Sequence, residues 1–393
     1  MNNIRYFKYH SDYVSEESGL TNPNVSYCAN QADVHYKVKN CKDEYFTFEA
    51  LESGTFSFSL NSIQYSLDSG ETWATLTTGN STPTIASGET IMWKASGLTP
   101  TSTDGIGRFS STGNFKVKGN VMSLVNGDDF EGKEEMSANQ FRCLLSGCTG
   151  LTDATDLVLP ATELVDSCYR IMFAFCASLT GAPKLPATVL APNCYRSMFQ
   201  GTGIVYPPEL PATTMANFCY VNLFRDCPNL KTAPELPATT LAEACYASMF
   251  DTCPSLIIAP KLPATTLAID CYNKMFNACT SLIIAPELPA TTLPASSNGC
   301  YNRMFMGCTS LVIAPKLSAT MLVDSCYWQI FQGCTNLKII VCLATDISAS
   351  NCLTNWTKGV SATGTFIKAA SMTSWTTGIN GIPQGWTVET ASS

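Results

Sequence analysis

The stretch LPATTLAIDCYNKMFNACTSLIIAPE, Leu262 to Glu287, decides how the rest of the chain is read. The 26 residues before it, Leu236 to Lys261, read LPATTLAEACYASMFDTCPSLIIAPK. The Cys-Tyr pair inside this unit recurs at Cys168, Cys194, Cys219, Cys245, Cys271, Cys300 and Cys326, at intervals of 26, 25, 26, 26, 29 and 26 residues. A degenerate copy precedes the series, with Phe141 and Leu145 in the Tyr and Phe places, and another follows it at Leu343-Ala344-Thr345 and Cys352. A period in the twenties, repeated this often, is the signature of a stacked array, because one short unit cannot bury its apolar face alone.

Each copy divides in two. In CYNKMFNAC the apolar residues Cys271, Tyr272, Met275, Phe276 and Cys279 fall at i, i+1, i+4, i+5 and i+8, which predicts one stripe of a short helix. The half SLIIAPELPAT is rich in proline and β-branched residues and predicts a short strand ending at a turn. The expected fold is therefore a mixed α/β repeat solenoid of about nine coils, ~45 Å long at the ~4.8 Å strand spacing. Its repeated core residues are Cys168, Tyr169, Phe173, Cys245, Tyr246, Phe250, Cys271, Tyr272, Phe276 and Cys279. Two cysteines eight apart on a helix lie ~12 Å apart, beyond the ~7 Å that a disulfide tolerates. The total of 19 cysteines is odd, and Thr202 replaces the second Cys of its copy, so the reading is two columns of buried, reduced thiols acting as small apolar residues.

These motifs resemble the leucine-rich repeats of the BspA-like (Treponema pallidum) class. Cys279-Thr280-Ser281-Leu282 matches that class's C-x-x-L start, Leu288-Pro289 its strand end, and Met304-Phe305-x-x-Cys308 its A-F-x-x-C close. The extra residue before Leu-Pro and the Ala-Pro pair depart from the pattern. The LPATTLA…CY…MF…CTSL wording looks like sequences from gut Bacteroidales and from the phages that infect them, crAss-like phages included. The resemblance implies a leucine-rich-repeat solenoid used for adhesion or host recognition.

Four segments are expected. Residues 1–43 form an arm for attachment or an irregular leader. Residues 44–126 alternate as FTFEAL, TFSFSL, IQYSL, TIMWKA and NFKVKG, which predicts a small antiparallel β-sandwich. Residues 127–352 are the repeat array, and 353–393 a C-terminal β cap over its open end. Ser66 to Trp73 fits the S-x-D-x-G-x-x-W pattern called the Asp box, which predicts a hairpin turn held by Asp68 and no glycosidase chemistry.

Function is read mostly from what is missing. The net charge of −8 argues against nucleic acid, whose binding rests on Lys and Arg neutralising phosphates. No apolar run approaches the ~18 residues of a membrane span. The amino terminus lacks an apolar leader core, so the expectation is a chain made in a cytoplasm without export. The two histidines, His10 and His35, lie outside the repeats, which leaves these without the imidazole of the usual nucleophilic systems. No metal-ligand spacing and no phosphate loop is found, so no cofactor is expected, and Asp153, Asp156 and Asp166 read as solvated carboxylates.

Two sets of positions suit binding. Lys184, Glu209, Glu235, Lys261, Glu287 and Lys316 recur before Leu-Pro (Leu-Ser in the last copy) and predict an exposed charge ladder. Arg170, Arg196, Asn222, Lys274, Arg303 and Trp328 vary just after each Cys-Tyr and predict a partner-binding surface, with Trp328 as an anchor or packed on its own neighbour. The insertion within Pro294–Gly299 predicts a protruding loop. Taken with the missing leader, the resemblance implies a non-enzymatic virion component, a head or tail fibre or decoration of a bacteriophage. Its amino-terminal part docks on other virion proteins, and its repeats bind a protein or glycan of the host surface. Fibres are often oligomeric, which keeps a homo-oligomer open. The alternative is a Bacteroidales (Bacteroides-type) cell-surface adhesin that binds a host protein or glycan.

Overall fold

The computed structural model describes residues 44–391 except 295–298, together with the backbone of β1 (Val25–Tyr27) and β2 (Tyr36–Val38), which pair antiparallel. The remainder of the expected arm, with His10 and His35, and most of the insertion within Pro294–Gly299 lie outside the described residues.

The alternating segment forms β3 (Phe46–Ala50), β4 (Phe56–Phe58), β5 (Ile63–Ser66), β6 (Ala74–Leu76), β7 (Thr90–Lys94), β8 (Phe109–Ser111) and β9 (Phe115–Asn120). Phe46, Phe48 and Ala50 share one pleat face of β3 and are buried, as a period of two requires. The Phe48 ring centroid lies 5.0 Å from Phe56, 4.9 Å from Phe109 and 4.7 Å from Phe115, so this core is a cluster of tilted and edge-on aromatics. A four-residue helix, α1 (Ser123–Asn126), follows β9.

The pairings within this unit, among β3 to β9, are all antiparallel, as expected, but the sheet does not end with them. Its main sheet runs β10-β9-β3-β7-β5-β6, and β4 pairs only with β8 in a separate two-stranded sheet. The outer edge of β9 is taken in parallel by β10 (Leu151–Asp153) and β11 (Leu157–Val158), which belong to the first repeat copies. The sheet is therefore mixed, and it welds the amino-terminal unit to the repeats. That pairing covers an edge which would otherwise be an open template for other chains.

The expected mixed α/β leucine-rich-repeat solenoid is also corrected. Among the described residues the only α-helix is α1, which lies outside the repeats, and the protein is built mainly of strands and turns. The nine-residue stripe Cys271–Cys279 is a succession of turns. Asp270, Lys274 and Ala278 have φ of 55°, 55° and 56°, a left-handed residue every fourth position, which no α-helix contains. Between them the amides alternate in direction. Asn273, Met275 and Asn277 donate to the carbonyl three residues back, at 3.0–3.1 Å. Tyr272, Lys274, Phe276 and Ala278 donate instead to Cys300, Asn302, Met304 and Met306 of the next copy, at 2.7–3.1 Å. Half of the backbone donors thus join neighbouring copies, so these segments satisfy the backbone only when stacked.

The expected strand in SLIIAPELPAT shrinks to isolated parallel bridges such as Ile258↔Ile284, because Pro260 and Pro263 supply no amide to a ladder. Among the described residues, continuous parallel strands join one copy to the next only at the carboxyl end, as β12 (Ile339–Cys342), β13 (Thr365–Lys368) and β14 (Thr387–Thr390).

Stacking gives the repeats their core. Tyr169, Tyr195, Tyr220, Tyr246, Tyr272, Tyr301 and Tyr327 are at most 2% exposed and form one column, with ring centroids 5.8–6.0 Å apart. Phe173, Phe199, Phe224, Phe250, Phe276, Phe305 and Phe331 form a second column at 5.5–6.0 Å. These are offset-stacked rings, each burial worth about 1.5–3 kcal/mol. Trp356 takes the next place after Phe331, at 6.4 Å, and Phe366 and Trp375 pack against it at 6.0 Å. The Trp356 indole N–H donates to the Gly381 carbonyl at 2.9 Å, so the segment after Cys352 closes the aromatic column.

Candidate binding surface

The cysteines belong to the frame. Seventeen lie among the described residues, and all are buried with free thiols. In five copies the second cysteine donates its S–H to the Phe carbonyl of the copy before it: Cys227 to Phe199, Cys253 to Phe224, Cys279 to Phe250, Cys308 to Phe276 and Cys334 to Phe305, at 3.0–3.1 Å. Thr202, which replaces a cysteine, donates its hydroxyl to the Phe199 carbonyl of its own copy at 2.8 Å. Both residue types keep a donor at that place. Burial pushes the Cys168, Cys271, Cys279 and Cys334 thiols up to about 12, the opposite of what a nucleophile needs.

Around this frame the varied residues after Cys-Tyr divide into two adjacent columns. Arg170, Arg196 and Trp328 immediately follow the tyrosine, whereas Asn222, Lys274 and Arg303 sit one place later, at left-handed φ of 55–56°. All six are partly exposed. Hydrogen bonds between copies fix their register: Cys143 N–H to the Arg170 carbonyl at 3.0 Å, Ile171 to Arg196 at 2.9 Å, and Arg303 to Trp328 at 2.8 Å.

Trp328 is not a free anchor. The Arg303 guanidinium lies 5.6 Å from its ring centroid, and Arg303 Nε donates to Gln329 Oε1 at 2.5 Å. At the other end of the array, Arg142 precedes Arg170 and Arg196 in the same column, so three guanidinium groups occupy successive copies. Burial, with Arg142 and Arg196 alongside, holds the Arg170 guanidinium below its usual range. Arg142 escapes a search keyed to Cys-Tyr because Phe141 stands where the tyrosine would be. Its signal is the aromatic-Arg pair shared with Tyr169-Arg170 and Tyr195-Arg196.

Lys184, Glu209, Glu235, Lys261, Glu287 and Lys316 are all exposed. Among the described residues no ion pair joins Lys261 to Glu235 or Glu287, since long exposed side chains gain little by holding one geometry. Between two members of this set lies an open groove of about 350 Å³, lined by Tyr206, Pro207, Pro208, Glu209, Thr232 and Glu235 among others. The Tyr206 ring is 66% exposed above it. On the next copies the same face carries Ile257, Ile258, Ile283, Ile284, Val312 and Ile313, all exposed, so its character changes from polar to aliphatic along the array.

Two of the three aspartates named above, Asp153 and Asp166, accept hydrogen bonds from neighbouring residues, as do Asp251 and Asp68. Asp153 Oδ1 accepts from the Thr155 amide at 3.0 Å, and Asp166 Oδ1 from the Ser167 hydroxyl at 2.9 Å. Buried Asp251 accepts from Asn277 at 2.6 Å and lies 3.6 Å from Arg225. Asp68 closes the β5–β6 hairpin by accepting from the Thr72 hydroxyl at 2.5 Å, from the Thr72 amide at 2.9 Å and from the Ser66 hydroxyl at 2.7 Å, and these bonds lower its carboxyl to about 2. Among the described residues no cluster of His, Cys, Asp and Glu is arranged to hold a metal ion, and no helix is long and apolar enough to cross a membrane. Comparisons with protein-family models, curated proteins and solved structures returned no match.

Proposed function

We propose that this chain is a non-enzymatic attachment protein that binds through the outward positions of its stacked copies. The observation that carries the reading is the division of labour within each copy. Tyrosine, phenylalanine and cysteine repeat in the interior, whereas the two columns beside them vary from copy to copy, with partly exposed Arg, Ile, Asn, Ala, Ser, Lys and Trp among their members, at hydrogen-bonded register. A frame that holds varied side chains at fixed spacing is how repeat proteins make specific surfaces.

The resemblance to BspA-like repeats from gut Bacteroidales and their phages supports display on a phage particle, as a fibre or decoration, with the amino-terminal unit facing the particle. The ligand is then a protein or glycan of the host surface. The test is binding of the labelled full chain to intact Bacteroidales cells and to mucin. Saturable binding, competed by unlabelled chain, is the expected result. Absence of saturable binding to every surface tried overturns the reading.

A further inference from the structure

Arg142, Arg170 and Arg196 occupy one column in three successive copies, in register through the Cys143–Arg170 and Ile171–Arg196 backbone bonds. The aromatic rings that precede them, Phe141, Tyr169 and Tyr195, stack at 5.9 and 5.8 Å, which sets the spacing of the cations. Among the described residues none of the three arginines is in an ion pair. The Nε atoms of Arg142 and Arg170 are buried without a hydrogen-bond partner, and Arg196 donates only to the Asn193 side chain, at 3.2 Å. The nearby carboxylate of Asp166 is engaged by Ser167. Three like charges held side by side repel one another, so this column costs stability unless an anion neutralises it.

We propose that Arg142, Arg170 and Arg196 form a binding strip for an acidic oligosaccharide carrying sulfate or carboxylate groups. Guanidinium forks pair with such groups bidentately, and a carbohydrate repeats its charges along a chain as the strip repeats its cations. In the same two copies as Arg170 and Arg196, the exposed Phe175 ring lies over Gly201 and offers a sugar an apolar face. Nucleic acid fits less well. Its binding draws on some 6–10 phosphate contacts, whereas three arginines here belong to a chain of net charge −8. Successive bases also need successive rings, and the Phe175 column continues as Gly201 and Asp226. The proposal rests on the attachment reading and names its ligand class.

The test is titration of the full chain with a chondroitin sulfate hexasaccharide, its desulfated form, an oligogalacturonate hexamer and a single-stranded oligonucleotide of equal charge. The expected result is binding of the sulfated or the carboxylated sugar, with affinity falling as salt rises from about 50 to about 200 mM. Arg170→Gln and Arg196→Gln each weaken it about tenfold or more, Arg170→Lys weakens it less, and Lys358→Gln, at an exposed lysine outside both sets of binding positions, leaves it within about twofold. Thermal melting of each variant separates lost binding from lost folding. Failure of both acidic sugars to bind, equal binding by Arg170→Gln, or tighter binding of the oligonucleotide overturns the proposal. If cells still capture the chain while Arg170→Gln has no effect, only the anion strip is lost; if they capture none, the attachment reading falls with it.

Discussion

The Cys253 thiol donates to the Phe224 carbonyl of the preceding copy across 3.0 Å. The same bond recurs at Cys279, Cys308 and Cys334, so these thiols are both core volume and donors between copies. Cys253→Ala removes the donor and opens a small void, and should cost about 1–3 kcal/mol in a denaturant melt. Cys253→Thr restores a donor, as Thr202 does in its own copy, and should cost less than Cys253→Ala. Equal loss in both variants would show that volume alone matters at this position.

The thiols also set an alkaline limit. Burial raises Cys168, Cys279 and Cys334 to about 12, against about 8.5 in an unfolded chain. A raised folded pKa contributes stability that is complete below the unfolded value and is lost as pH climbs towards the folded one. Stability should therefore fall progressively from about pH 8.5 towards pH 12. Thiol reagents at neutral pH should label these residues only at the rate of unfolding. Rapid labelling of the native protein would contradict their burial.

Asp68 behaves in the opposite sense. Its carboxyl sits at about 2, lowered by bonds from Thr72 and Ser66, against about 3.9 unfolded. It supports the hairpin at every pH above that unfolded value and loses this role as pH falls through about 2. An NMR titration should place its midpoint well below that of a free aspartate, and Asp68→Ala should speed amide exchange at Gly70 and Thr72. A midpoint near 3.9 would show that the turn bonds do not form.

The Tyr195 hydroxyl is buried and finds no hydrogen-bond partner among the described residues. The column already accepts phenylalanine, since Phe141 stacks on Tyr169 at 5.9 Å. Tyr195→Phe should leave stability unchanged or raise it by up to about 1 kcal/mol, because it removes an unsatisfied polar group at little cost in volume. A loss of more than about 1 kcal/mol would reveal a partner for that hydroxyl.

The period and the interior residues of the repeats were legible because stacking demands the same side chain at the same register. The local conformation was not. Apolar residues at i, i+1, i+4, i+5 and i+8 fit a helix of 3.6 residues per turn and a four-residue turn repeat about equally well. What separates them is the left-handed position. Asn193, Asn222, Asp226, Gly299, Gly307, Gly333, Asn351, Asn355 and Gly359 mark it with residues that tolerate positive φ, but Ile171, Phe175, Lys274 and Arg303 occupy it too and hide the signal. The β9–β10 and β9–β11 pairings were illegible for a different reason. They join segments more than thirty residues apart through backbone bonds, which leave no periodicity in the side chains. The arginine strip was two-thirds visible in Arg170 and Arg196, and its third member was hidden by Phe141.

The attachment reading depends most on where the protein is displayed. Mass spectrometry of density-purified phage particles and of outer-membrane fractions from the same gut Bacteroidales culture measures this directly. The account predicts the chain in the particles, at a constant copy number per capsid protein across preparations. Its presence in the outer membrane alone would contradict a virion component and leave a cell-surface adhesin.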